Sequence, residues 1–286
     1  MIISENNWIN DNITELGLIS DYDIKFNLYP FKPLDFHAAS EQTATKISQK
    51  YQNLYVGLSG GIDSEYVLVC FHKLKIPIIP IIILCEGNEK ESKYAFKMCE
   101  KLNLKPVIIE CSNDQILDIC VNFIFKKING IGFESATRAY AANYVKNNSG
   151  TLICGDHIIG EGDIIIKKNG EYEYGINEWD GYDSAYFGDE IGFYLYTPEL
   201  TYSMISGNTL DGENMSWQKY KSELFGLEER DKIHYNYPKF IQKINKILVE
   251  LKAQKIDRSI TGFRKIKTGI RWKKDEILDI FKPYLI

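Results

Sequence analysis

Long apolar runs are what this 286-residue chain has least of. None approaches the roughly 20 consecutive apolar residues of a membrane span. The longest, residues 76–85, is interrupted by Pro77 and Pro80 and has the length of a buried strand. No basic stretch leads into an apolar one near residue 1, so no secretory signal is expected, and a cytoplasmic location is. Cysteine pairing signals are missing as well. The six cysteines, at 70, 85, 99, 111, 120 and 154, include no C-x-x-C. Their wide spacing argues against a zinc knuckle or a disulfide framework and leaves buried, reduced thiols. There is no Gly-Lys-Ser/Thr and no G-x-G-x-x-G, which excludes the Walker and dinucleotide loops. Disorder is excluded too, because 44% of residues are hydrophobic.

Charge is present but uneven around a formal net of −5. Acids crowd between Asp156 and Asp231. Residues 255–274 hold Lys255, Arg258, Arg264, Lys265, Lys267, Arg271, Lys273 and Lys274 against one acid, Asp257. A uniform nucleic-acid binder is not indicated. The basic segment reads either as a local docking face or as a solvated helix face balanced by the acidic stretch.

From residue 51 to 155, β-branched apolar runs alternate with segments of helical period. The pattern predicts strands at 54–58, 78–84, 106–110 and 151–154. It predicts helices at 43–51, 64–75, 88–102, 113–127 and 134–146. Alternation at this spacing implies right-handed βαβ units and an α/β fold with a doubly wound parallel sheet. After about residue 160 the pattern changes to an irregular α+β region. Two short strands flank the Asn169-Gly170 turn as a hairpin. Residues 176–200 read as irregular loop or short strands, and 217–224, 237–254 and 275–281 as helices.

Ligands of such sheets bind beyond the carboxyl ends of the strands. Those ends read Ser59-Gly60-Gly61-Ile62-Asp63, Cys85-Glu86-Gly87, Glu110-Cys111-Ser112 and Gly155-Asp156-His157. All are polar or glycine-rich, although the strand interiors are apolar. The first is the most informative, because a helix follows it at once. The opening N–H groups of a helix lack internal partners and carry the positive end of its dipole. Paired glycines let backbone close around an anion there. Asp63 belongs beside phosphate only with a cation between them, and Mg²⁺ carried by a nucleotide is the natural one.

These residues, Ser59, Gly60, Gly61, Asp63 and Ser64, fill every fixed position of an SGGxDS loop. The stretch resembles the PP-loop ATP pyrophosphatases, whose fold is adenine nucleotide alpha-hydrolase-like and whose members include asparagine, NAD and GMP synthetases and several tRNA-modifying enzymes. That resemblance implies ATP and Mg²⁺ as cofactors. It implies that Leu58, Ser59, Gly60, Gly61, Ile62 and Ser64 bind the nucleotide, with Cys85 at the next strand end, and that Asp63 holds the metal. The acceptor then attacks the α-phosphorus, and pyrophosphate leaves. Residues 152–156, Leu-Ile-Cys-Gly-Asp, look like the strand-then-Gly-Asp element of asparagine synthetases. Asp156 is thereby a second metal or substrate carboxylate, with Glu161 a looser match. Arg138 lies in a stretch, 134–142, that opens a helix rich in small residues; it is suited to a phosphate or carboxylate and equally to an exposed salt bridge. Lys265 represents the C-terminal basic residues that reach back to pyrophosphate in several such synthetases; Arg264, Lys267 and Arg271 are equally eligible. His157 is more simply structural.

The expected organisation is a leader over 1–50, a PP-loop nucleotide-binding domain over 51–162 and an acceptor-binding, helical C-terminal region over 163–286. Position 2 is not Cys, so the glutaminase of complete asparagine synthetases is lacking, and the amine comes free or from another chain. Glu86-Gly87-Asn88-Glu89 stands where lysidine synthetases carry histidine and aspartates. No cysteine follows Cys154, unlike the zinc cluster of 7-cyano-7-deazaguanine synthases. The leading expectation is an AMP-forming ligase that activates a carboxylate or carbonyl oxygen of a small acceptor for C–N bond formation. The alternatives are modification of a nucleotide, tRNA or DNA base by amination or thiolation, docked through 255–274, and a nucleotide-binding regulator without turnover. A homo-oligomer is compatible with each, and no membrane partner is expected. Asp63→Asn is expected to stop pyrophosphate release with the fold intact.

Overall fold

Pro30 and Pro33 keep the chain out of helix until Asp35, whose carboxylate accepts a hydrogen bond from Ala38 N at 2.9 Å and caps the first long helix. The computed structural model describes residues 9–12, 23–26, 28–119, 133–155, 165–166, 172–175, 190–207, 217–228, 271–273, 278–279 and 281–286. Strands β1 (Ile9–Asn12) and β2 (Asp23–Phe26) pair antiparallel. Then come α1 (Phe36–Lys50), β3 (Leu54–Gly57), α2 (Ile62–Lys73), β4 (Ile79–Leu84), α3 (Glu89–Lys101), β5 (Val107–Glu110), α4 (Asn113–Asp118), α5 (Phe133–Asn147) and β6 (Thr151–Cys154). They are followed by β7 (Ile165–Ile166), β8 (Tyr172–Gly175), β9 (Glu190–Gly192), α6 (Pro198–Ser206), α7 (Trp217–Phe225) and β10 (Arg271–Lys273).

Five strands form one parallel sheet in the order β5-β4-β3-β6-β9. Val56 lies opposite Pro80 on one side and Ile153 on the other. Leu54, Tyr55 and Val56 are buried, as are all four residues of β6, which suits strands covered on both faces. The chain runs from β3 outward to β5, then returns across β3 to β6 and on to β9. Its direction of winding therefore reverses between β3 and β6. A crevice opens at such a reversal, at the carboxyl ends of the two strands.

The doubly wound parallel sheet is thus the observed architecture. Element boundaries shift where local cues compete. Helix α1 begins at Phe36 rather than 43, because the Asp35 cap outweighs the polar residues that follow. The described part of the 176–200 stretch begins at residue 190 and includes one of the short strands expected there. It holds β9, a 3₁₀ turn over Phe193–Leu195 and the start of α6, where Thr197 caps and Pro198 occupies the first turn. The 165/172 hairpin forms as expected, and β10 adds to it, with Trp272 opposite Tyr174. Residues 278, 279 and 281 are helical. The predicted helix at 237–254 and the later part of that at 113–127 lie outside the described residues.

Phe36, Val67, Tyr194 and Phe225 belong to one core cluster. The leader, central and C-terminal segments expected from sequence all contribute to it. At its centre four rings stack across three helices and the 3₁₀ turn. Phe225 lies 4.6 Å from Tyr66, 5.5 Å from Phe36 and 5.7 Å from Tyr194, each within 24° of parallel. Phe225→Ala is expected to lower stability by about 3–5 kcal/mol and to release α7; urea unfolding followed by circular dichroism measures it.

Candidate functional site

Gly60 is the point at which the loop after β3 must be glycine. Its φ is +92°, and a Cβ there would stand 2.1 Å from the backbone oxygen of Glu91 in α3. A second close approach comes from Gly155, just beyond β6. A Cβ on Gly155 would lie 2.7 Å from Ser64 N and 2.9 Å from Asp63 C. The first turn of α2 is thus set directly on the switch point, with glycine backbone beside it. Gly61 is the N-cap and brings no side chain to the helix start. That leaves the helix terminus open on the cleft side, the arrangement that suits an anion.

The two serine hydroxyls hold this loop in shape. Ser64 Oγ donates to Gly61 O at 3.1 Å and accepts from Ser59 N at 3.3 Å. Ser59 Oγ accepts from Gly61 N at 3.2 Å. The hydroxyls expected to meet a ligand line the cleft and also brace the turn that presents the backbone.

Asp63 lies in the first turn of α2, where a negative charge is favoured by the helix dipole. Its Oδ2 receives Lys221 Nζ at 2.7 Å. The lysine side chain is 3% exposed and the aspartate 24%. Lys221 reaches it because Phe225, one turn further along α7, stacks on Tyr66, one turn along α2. Tyr220 OH also donates to Met204 O at 3.2 Å and ties α7 to α6. Tyr194 OH donates to Asp63 O at 3.0 Å. Burial, and then the Asp63 charge, push the Tyr194 hydroxyl well above its usual pKa, so it stays protonated and keeps donating.

Lys221 was not singled out by sequence reasoning. One signal was available: Trp217, Lys221, Leu224 and Phe225 share a helical face, so a cation sits in an otherwise apolar stripe. Such a residue needs a buried counter-charge.

The cleft has a volume of about 250 Å³. Leu58, Ser59, Gly61, Asp63 and Ser64 line one part of it. Ile81, Ile83 and Leu152 give it an apolar part, and Thr137 and Arg138 bring α5 to it. Asn88 lines it as well, and is fixed by donating to Ile83 O at 2.7 Å and accepting from Cys85 N at 3.1 Å. Six of the candidates named from sequence therefore meet in one cavity. Gly60 and Ile62 belong to the same turn but do not line it. Cys85 is buried and does not line it either. Burial pushes the Cys85 thiol up to about 12, with nearby Cys111 adding to the shift, and burial pushes Cys111 up to about 11. Both are neutral thiols near neutral pH. Asp156, His157, Glu161, Arg264, Lys265 and Lys267 lie outside the described residues, although Gly155, next to Asp156 in sequence, lines the cleft.

Among the described residues no group of three or more His, Cys, Asp or Glu could hold a metal ion. Mg²⁺ fits as a cation brought in on phosphates, because one carboxylate completed by phosphate oxygens is a donor set it accepts. Asp63, which lines the cleft, would be that carboxylate. No described helix is long and apolar enough to cross a membrane.

No protein-family model matches the chain, and no curated protein matches it. Solved structures do. An NMN synthetase from Francisella tularensis aligns over 80% of this chain and 98% of its own at 14% identity, with a TM-score of 0.37. An NH3-dependent NAD synthetase from Campylobacter jejuni subsp. jejuni NCTC 11168, in complex with the nitrate ion, aligns over 83% and 97% at 20% identity and a TM-score of 0.37. A glutamine-dependent NAD+ synthetase from Acinetobacter baumannii, in complex with adenosine diphosphate, aligns over 46% of this chain and 27% of its own at 13% identity and a TM-score of 0.32. These are synthetases of NMN and NAD; the asparagine-synthetase likeness rests on the sequence motif alone. At such scores the likeness decides neither substrate nor reaction.

Two outcomes follow from this geometry. Lys221→Ala is expected to cost about 2–3 kcal/mol, less than for a fully enclosed pair because Asp63 is 24% exposed; chemical denaturation reads it, and Asp63→Leu with Lys221→Met is expected to recover most of the loss. Cys85 and Cys111 are expected to resist iodoacetamide at about pH 8 in the folded protein and to react once it unfolds, as mass spectrometry of the labelled peptides will tell.

Proposed function

We propose that the protein is an ATP-dependent adenylating enzyme that cleaves ATP to AMP and pyrophosphate and activates a carboxylate or carbonyl oxygen for C–N bond formation. The observation that carries this reading is the open N-terminus of α2, held at the β3/β6 reversal by the close approaches of Gly60 and Gly155. Backbone donors fixed before the reaction cost no reorganisation when charge develops, and that is how a departing pyrophosphate is best stabilised. The apolar walls at Ile81, Ile83 and Leu152 suit a base or other flat apolar group.

Within this reading the first turn of α2 receives the β and γ phosphates. Mg²⁺, when bound with them, offsets the charge of the leaving group. Asp63 holds that cation to the loop. Without the cation, Lys221 is the counter-charge of the same carboxylate, shut away from water. Arg138 and Thr137 face the same cavity and orient the anionic part of the acceptor or the α-phosphate. The acceptor oxygen attacks the α-phosphorus, the bond to the bridging oxygen of the β-phosphate breaks, and pyrophosphate departs. No protein nucleophile is needed. Asp156 and Lys265 are proposed as a further carboxylate and cation for the site, on the sequence resemblance alone.

Incubation with ATP and candidate carboxylate acceptors plus ammonium is expected to give AMP and pyrophosphate, resolved by ion-exchange chromatography. ADP and inorganic phosphate as products would refute the reading. Asp63→Asn is expected to lower turnover at least a hundredfold. The Lys221 ion pair changes what that variant does to the fold: a buried ammonium loses its charged partner, so stability falls as well. Circular dichroism at the assay temperature separates the two effects.

A further inference from the structure

The ion pair at Asp63 joins the phosphate loop to a helix from far along the chain, and it occupies a carboxylate that the proposed chemistry also needs. Asp63 has one side on the cleft, at 24% exposure, and the other on Lys221, at 3%. A divalent cation on this carboxylate would share it with an ammonium that is 2.7 Å from Oδ2. Like charges that close, with the lysine closed off from solvent, repel strongly. One of the two must give way. Lys221 is the mobile partner in principle, because its four-carbon stem can swing while the backbone of Asp63 is held by Tyr194 and by the approach of Gly155.

We propose that Lys221 and a nucleotide-borne divalent cation are alternative counter-ions of Asp63, so that loading the cleft exchanges the ammonium for the metal and loosens α7 from α2. The inference rests on the proposed function only in requiring a metal-bound nucleotide in this cleft. In the empty protein Lys221 keeps the carboxylate compensated and the first turn of α2 in place. On loading, α7 keeps its Phe225 stack and its Tyr220 bond to Met204 but loses its tether to the loop. Site occupancy is thereby coupled to the docking of a helix 158 residues away from Asp63 in sequence.

The test compares the gain in affinity for α,β-methylene-ATP that Mn²⁺ confers over EDTA, measured by isothermal titration in wild type and in Lys221→Met. Taking the ratio with and without metal cancels any direct attraction of Lys221 for phosphate. The gain is expected to be at least tenfold larger in Lys221→Met, because the metal no longer displaces an ammonium. An equal or smaller gain in a folded variant overturns the exchange. Asp63→Asn is expected to lose the Mn²⁺ gain; if it keeps it, Asp63 does not carry the metal and the exchange is wrong. Should Lys221→Met fail to fold, hydrogen exchange in the wild type decides. Amides of residues 217–225 are expected to exchange faster with α,β-methylene-ATP and Mn²⁺ than with the nucleotide in EDTA, and equal rates overturn the proposal. If the Mn²⁺ gain behaves as expected while ATP is never cleaved to AMP, the adenylation reading alone falls.

Discussion

Everything at this site depends on how tightly backbone packs around one helical turn. Gly60 lets α3 approach the loop within the space a side chain would fill, and Gly155 does the same for the end of β6. With both contacts made, the first turn of α2 has a fixed position on the sheet reversal, and its dipole points into the cleft. The serine hydroxyls, the tyrosine at 194 and the lysine at 221 all build on that position. An alanine at either glycine would move the helix start, and every polar contact around it would shift in turn.

The second layer is aromatic. Phe36, Tyr66 and Tyr194, from two helices and a 3₁₀ turn, each stack on Phe225 of a third helix within 24° of parallel. The stack does two things at once. It contributes apolar burial to the core, and it aligns α7 on α2 so that side chains one turn away, Lys221 and Asp63, meet at 2.7 Å. Stability and site geometry are therefore carried by the same rings. Elsewhere polar burial is handled separately: Glu199, buried in the first turn of α6, is met by Lys46 at 3.1 Å and by the Tyr29 hydroxyl at 2.9 Å, well away from the cleft residues in sequence.

The parts of this site that were legible in the sequence are local. Strand, paired glycines and helix are contiguous, so the loop at 58–64 and the reversal strand ending at Gly155 stand out from their neighbours alone. Arg138 was visible as a cation among small residues. What sequence could not reveal depends on distant partners. Lys221 acquires its role only when Phe225 finds Tyr66. Strand β9 is three residues long and ends in glycine, so no periodicity announces it, and only pairing with β6 defines it. The addition of β10 to the hairpin joins residues about a hundred apart. The start of α1 was readable from the Asp35 cap, yet the polar middle of that helix hid its apolar face. Cys85 ends a strand, where chemistry is expected, yet its thiol is buried, and Asn88 fixes the turn that follows it.

The long reach of these contacts bears on how the molecule is assembled. Tyr194 and Lys221 meet Asp63 across 131 and 158 residues of chain. Loops of that size close late and raise the contact order, which slows folding. A nascent or partly folded chain can pair β3 with β4 and wind α2 long before α7 arrives. In that interval the acidic start of α2 has no ammonium beside it and the aromatic rings lack their partner Phe225, so contacts of high sequence separation complete this corner of the fold.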